Sequence, residues 1–152
     1  MNIFIGITGL ILCMIFSYYK ANKYVKRRQF YFEFYTFNKK LKTEIDFTQK
    51  TLTGIINEYQ NSDFIDAFRI YLKYNVFEFD NNYLGEEDKN FYKNYLSIIG
   101  SGDRISQIQF IDNASEQIDI KYKNSQEEEK VYKKLYYKIG FLIGLMVFIL
   151  FL

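Results

Sequence analysis

The 152-residue sequence contains no histidine, no proline, no tryptophan and a single cysteine. Without histidine the chain has neither the usual general base at neutral pH nor the commonest zinc ligand. The lone Cys13 has no intrachain partner for a disulfide and no companion for a thiolate metal site. The absence of proline suits long unbroken helices. With no tryptophan, anchoring at a membrane–water boundary falls to tyrosine. Charge is also missing from two whole stretches, residues 3–19 and 139–152. Every charged side chain therefore lies between Lys20 and Lys138, although a quarter of the chain is charged.

That segregation predicts a polar middle held by two membrane segments, with domains at 1–19, 20–138 and 139–152. A helix crosses ~30 Å of hydrocarbon in about 20 apolar residues. The first run nearly reaches that. It lacks the basic flank and small-residue cleavage site of a signal peptide, so it is read as a retained helix. The second run is shorter and reaches a full span when Leu135, Tyr136 and Tyr137 are added and Lys138 snorkels to the headgroups.

Tyr-Tyr-Lys occurs at the inner edge of both runs, as Tyr18-Tyr19-Lys20 and Tyr136-Tyr137-Lys138. Tyrosine favours the interface and lysine its cytoplasmic side. Both copies are therefore placed at the cytoplasmic face, which makes the chain a hairpin with both termini outside and the centre in the cytoplasm. Gly140 and Gly144 form a small-xxx-small pair, and Gly6 and Gly9 lie in the other run; these four are expected to pack the helices together.

The net charge is +6 over residues 20–50, −4 over 51–100, −4 over 101–129 and +4 over 130–138. In the hairpin the basic stretches sit near the membrane and the acidic ones away from it. Anionic membrane lipids explain the basic part, and no nucleic-acid reader motif is present.

The fold class is all-α: an antiparallel cytoplasmic bundle of about five to six helices, its first and last helices extending into the membrane. Phe30, Phe34, Phe37, Leu41 and Ile45 follow helical spacing. Shorter helices are expected over 51–59 and over 62–74, the second capped by Ser62 with Phe64, Ile65, Phe68 and Leu72 inside. Residues 75–85 read as a loop. Glu86-Glu87-Asp88 opens a helix that stops at Gly100-Ser101-Gly102, the three acids complementing its dipole. A long helix then runs from Asp103, with Ile108, Ile111, Ile118, Tyr122 and Tyr132 on heptad positions. Ser115, Ser125 and Glu129 interrupt that seam, so its part near Glu127-Glu128-Glu129 is expected to be mostly solvated.

No nucleophile–base pair, phosphate-binding glycine loop or metal-ligand spacing occurs, so no catalytic residue, metal site or cofactor is expected and the chain is not read as an enzyme. The acids Asp63, Asp66, Glu86, Glu87 and Asp88 form the candidate partner-binding face.

The stretch GSGDRISQ, Gly100 to Gln107, is followed by a long helix. Together with KANKYVKRRQ, LKTEI at Leu41 to Ile45 and the tail KLYYKIGFLIGLMVFILFL, it resembles the stage III sporulation protein AB family. The likeness is carried by residues 3–50 and 95–152. The resemblance implies a protein of endospore-forming bacteria, similar to the cytoplasmic domain of the type II secretion platform protein, a six-helix bundle. It implies a place in the mother-cell membrane facing the forespore and service to a channel between the two cells. Its expected partners are a cytoplasmic secretion-type ATPase, the AA protein of the same group, and other sporulation channel subunits. The motif residues Asp103, Arg104 and Gln107 are expected to be structural, with Arg104 paired to Glu44 on the first helix. A non-catalytic scaffold that clusters membrane proteins through its long helices is the alternative.

Overall fold

A computed structural model describes residues 2–47, 51–77 and 82–151. Among these residues there are five helices and no strand: α1 (Asn2–Phe47), α2 (Leu52–Asn57), α3 (Asp63–Tyr74), α4 (Glu86–Ile98) and α5 (Arg104–Leu150). The chain divides into two compact units. One is Met1–Arg28 with Asn124–Leu152, and the other is Gln29–Lys123.

The first unit is an antiparallel pair made by the start of α1 and the end of α5. Small residues let the two backbones approach. A Cβ built on Gly144 would meet the Leu10 backbone carbonyl oxygen at 3.3 Å, and one on Gly6 would meet that of Phe148 at 3.3 Å. Further along, the Tyr24 ring stacks on Tyr132 at 4.6 Å and lies 6.0 Å from Tyr136. Arg27 then donates to Glu128, and Arg28 donates to Glu129. Ser125 is buried as well. The sequence reading made the Glu127–Glu129 region mostly solvated. In the structure Glu128 and Glu129 are half-buried partners of arginines, because charge complementarity across the pair replaces apolar contact there.

The second unit surrounds one aromatic-rich core. Phe34 is wholly buried, and its ring lies 4.7–5.8 Å from those of Phe64, Phe91, Tyr92 and Tyr95. Phe37 meets Phe68 at 5.2 Å in an edge-on arrangement. Edge-to-face pairs add about 0.5–1.5 kcal/mol beyond the area they bury. The local signals explain the helix starts. Thr51 accepts from the Gly54 N–H and Ser62 from the Ile65 N–H, each satisfying a free donor of the first turn. Asn75 ends α3 in the left-handed region at φ 52°. Leu72, expected on the inner face of α3, is 37% exposed, while Phe64, Ile65 and Phe68 are buried. Residues 78–81 of the expected loop lie outside the described residues; Tyr83 and Leu84, which follow, are buried in the core.

Candidate functional site

The turn between α4 and α5 is built from its residue types. Gly100 and Gly102 take φ of 84° and 86°, a region that disfavours any side chain with a Cβ. Gln107, one turn into α5, accepts from the Gly100 N–H at 3.0 Å and aims its amide at the Ile98 carbonyl at 3.5 Å. It is buried, so it ties the end of α4 to the start of α5. The exposed Asp103 carboxylate accepts from the Ser106 hydroxyl. That bond, with the backbone N–H groups of Ser106 and Ile105, holds its pKa below the usual carboxylate value. Arg104 opens α5 exposed, and Glu44 is half-buried on α1.

The five acids of the expected partner face do not share one environment. Asp63 accepts from the Tyr83 hydroxyl at 2.7 Å. That bond and burial push the tyrosine's pKa up, burial being the larger cause. Asp66 lies 3.4 Å from Arg69, whose guanidinium also reaches the Tyr59 carbonyl at 2.8 Å and ties α3 to the segment after α2. Glu86 and Glu87 project into solvent, with side chains 85% and 89% exposed. Asp88 is only 5% exposed and meets Lys121 of α5 at 3.2 Å; Lys121 also reaches Glu87 at 2.9 Å. Asp88 is therefore a helix-packing residue rather than part of an open face.

The sequence reading also puts these acids far from the point where the long helices enter. The contacts reverse that within the second unit. Lys121 lies two residues from the unit's edge at Lys123, so the start of α4 sits at the end where α5 leaves and α1 enters. Phe64, next to Asp63, contacts Phe30 at 5.6 Å, close to the entry residue Gln29. The far end holds the turn, where a Cβ on Gly100 would touch Leu52 at 3.1 Å. Charge counted along the chain misplaces the acids because α4 runs back antiparallel to α5.

A polar cluster that sequence reasoning missed crosses the core of this unit. The Tyr95 hydroxyl donates to Asn38 Oδ1 at 2.8 Å, and Asn38 Nδ2 donates to Ser115 Oγ at 2.7 Å and to the Ile111 carbonyl at 3.2 Å. Asn38 is 1% exposed, so α1, α4 and α5 are joined through one fully buried amide. The available signal was its position one residue past Phe37 on the apolar stripe, facing the supposed interruption at Ser115.

Among the described residues one helix is long and apolar enough to cross a membrane. It is Ile3–Ile45 within α1. Among the described residues the end of α5, expected to span as well, is not a second such helix. Gly6, Gly9, Gly140 and Gly144 all lie where α1 and α5 meet. Tyr18, Tyr19, Lys20, Tyr137 and Lys138 are exposed and Tyr136 is half-buried. A groove lined by Leu12, Cys13, Ile15, Phe16, Ser17 and Ile143 offers mostly apolar surface. Among the described residues no three His, Cys, Asp or Glu side chains converge to hold a metal.

No curated protein and no solved structure matches the chain. The sequence model of one family matches residues 57–152, which takes in the stretch from 57 to 90 that carried little of the likeness and leaves out 3–50 that carried much of it. The match spans more than half of the sequence and includes the Gly100–Gln107 turn with all of α3, α4 and α5, and by it the chain belongs to the stage III sporulation protein AB family.

Proposed function

We propose that the protein is a membrane-anchored platform that docks a cytoplasmic secretion-type ATPase in a channel between mother cell and forespore. Family membership carries this reading, since it implies a role at stage III of sporulation. In this reading α1 and α5 both cross the mother-cell membrane facing the forespore, with their termini outside. The short apolar end of α5 is supported in that role by its partner. Residues 140–148 lie along Gly6 to Ser17 of a helix apolar enough to span, and a helix pair shares one environment. The residues between the spans would then form a cytoplasmic helical bundle that presents Asp66, Glu86 and Glu87 to the ATPase.

The test is calorimetry of the full chain in lipid nanodiscs with the ATPase, with and without nucleotide. Micromolar binding that Glu86→Lys with Glu87→Lys weakens at least about tenfold supports the reading. No binding by a folded chain rejects ATPase docking. The alternative is a non-catalytic scaffold that clusters other membrane proteins through the long helices α1 and α5. A stable oligomer in detergent, independent of the ATPase, would favour it.

A further inference from the structure

Charge in the first unit is sorted by height along the helix pair. Residues 17–26 of α1 hold three lysines and no acid, and residues 130–138 of α5 hold four lysines and no acid. These two stretches lie against each other, since Tyr24 stacks on Tyr132. The acids come one step further from the apolar ends, and there Glu128 and Glu129 are taken by Arg27 and Arg28. The arginines thus hold the pair together, whereas Lys20, Lys23, Lys130, Lys134 and Lys138 are exposed. None of these five has a carboxylate partner among the described residues. Lys130, Lys134 and Lys138 recur every four residues and so form one row on the outer face of α5.

We infer that this lysine band is a docking surface for anionic lipid headgroups, formed jointly by α1 and α5. The inference rests on the membrane-spanning reading above. Nine residues of helix rise about 13 Å. The headgroup layer is about 5–7 Å thick on each side of the bilayer. The band therefore spans that layer and the first water beyond it, directly next to the exposed tyrosines Tyr18, Tyr19 and Tyr137. Tyr24, between the helices, stays protonated: burial first, then its bond with Tyr136, pushes its pKa up to about 12. It adds no negative charge to the band at physiological pH. A compact ammonium on a flexible stem suits phosphate oxygens at variable height, which is the use lysine has at bilayer surfaces.

The experiment uses the full chain reconstituted in phosphatidylcholine bilayers with spin-labelled phosphatidylglycerol or phosphatidylcholine. The expected result is a motionally restricted lipid component that prefers phosphatidylglycerol by about threefold or more at low salt. The preference should weaken in Lys20→Gln/Lys23→Gln and in Lys130→Gln/Lys134→Gln/Lys138→Gln, fall to near unity when the two sets are combined, and survive in Lys73→Gln/Lys93→Gln, with helicity unchanged in all. Equal restriction of the two labels overturns the inference and leaves the membrane reading standing. No restricted component for either label overturns both. Loss of the preference to inorganic phosphate, but not to chloride at matched ionic strength, would assign the band to free anions and overturn the lipid as its occupant.

Discussion

Gly140 and Ser17 share a space with no room for another atom: a Cβ built at position 140 falls 2.5 Å from the Ser17 Cβ and 3.3 Å from the Cys13 carbonyl oxygen. The α1–α5 pair closes here because glycine has no side chain. Gly140→Leu is expected to cost about 1–3 kcal/mol by overpacking. Gly144→Ala adds one carbon, 3.2 Å from the Leu10 side chain and 3.3 Å from its backbone carbonyl oxygen, and costs less because these contacts are wider than the 2.5 Å approach at position 140. Denaturation in mixed detergent micelles measures both. Equal stability of Gly140→Leu and the unaltered chain would mean that the helices do not pack through this glycine.

Asn38 is the second place where one residue joins several helices. Asn38→Ala removes the acceptor of the buried Tyr95 hydroxyl and the donor to Ser115. Leaving buried polar groups unmatched costs about 1–3 kcal/mol for each. Thermal unfolding should show a clear loss, while Asn94→Ala, at an exposed site, stays within about 0.5 kcal/mol.

Glu87 and Asp88 are neighbours in sequence and are expected to behave as opposites. Asp88 is 5% exposed beside Lys121, so Asp88→Ala leaves a half-buried ammonium poorly matched and costs about 3 kcal/mol. Glu87→Ala, at an 89% exposed side chain, changes stability by less than about 1 kcal/mol. Chemical denaturation of the two variants separates them. It also shows which acid is open to charge reversal in a binding assay without unfolding the protein.

Alkaline titration reads the core directly. Burial, with Glu44 and Glu58 nearby, raises Tyr59 from 10.0 to about 12. Burial likewise pushes Tyr92 and Tyr95 well up. A raised tyrosine pKa means that the folded state holds the proton more tightly than the unfolded state. The resulting stability is complete below pH 10.0 and declines as pH rises through the folded values. Phenolate absorbance should therefore show Tyr59, Tyr92 and Tyr95 ionising only together with loss of helicity.

Much of the fold is legible from local chemistry. Ser62 marks the start of α3, and Gly100 with Gly102 marks the break before α5, because capping and positive φ are properties of single residues. What could not be read depends on which faces meet. Ser115, Ser125 and Glu129 look like faults in a heptad until Asn38 and Arg28 are found opposite two of them. Asp88 looks like its neighbours Glu86 and Glu87 until the antiparallel return of α4 sets it against Lys121. The family motif was visible as a turn, but the use of Gln107, to close the end of α4, needed the path of the chain.

The hairpin is the claim on which the functional reading stands, and cysteine accessibility in intact cells tests it most directly. In a Cys13→Ser background, Phe151→Cys and Asn94→Cys would each be produced in non-sporulating cells, whose outer membrane face is open to the medium, and treated with a membrane-impermeant maleimide. The account predicts labelling at 151 and protection at 94 until the cells are opened. Protection at 151 would mean that α5 does not span, and labelling at 94 would put the second unit outside the cytoplasm; either contradicts a platform that meets a cytoplasmic ATPase.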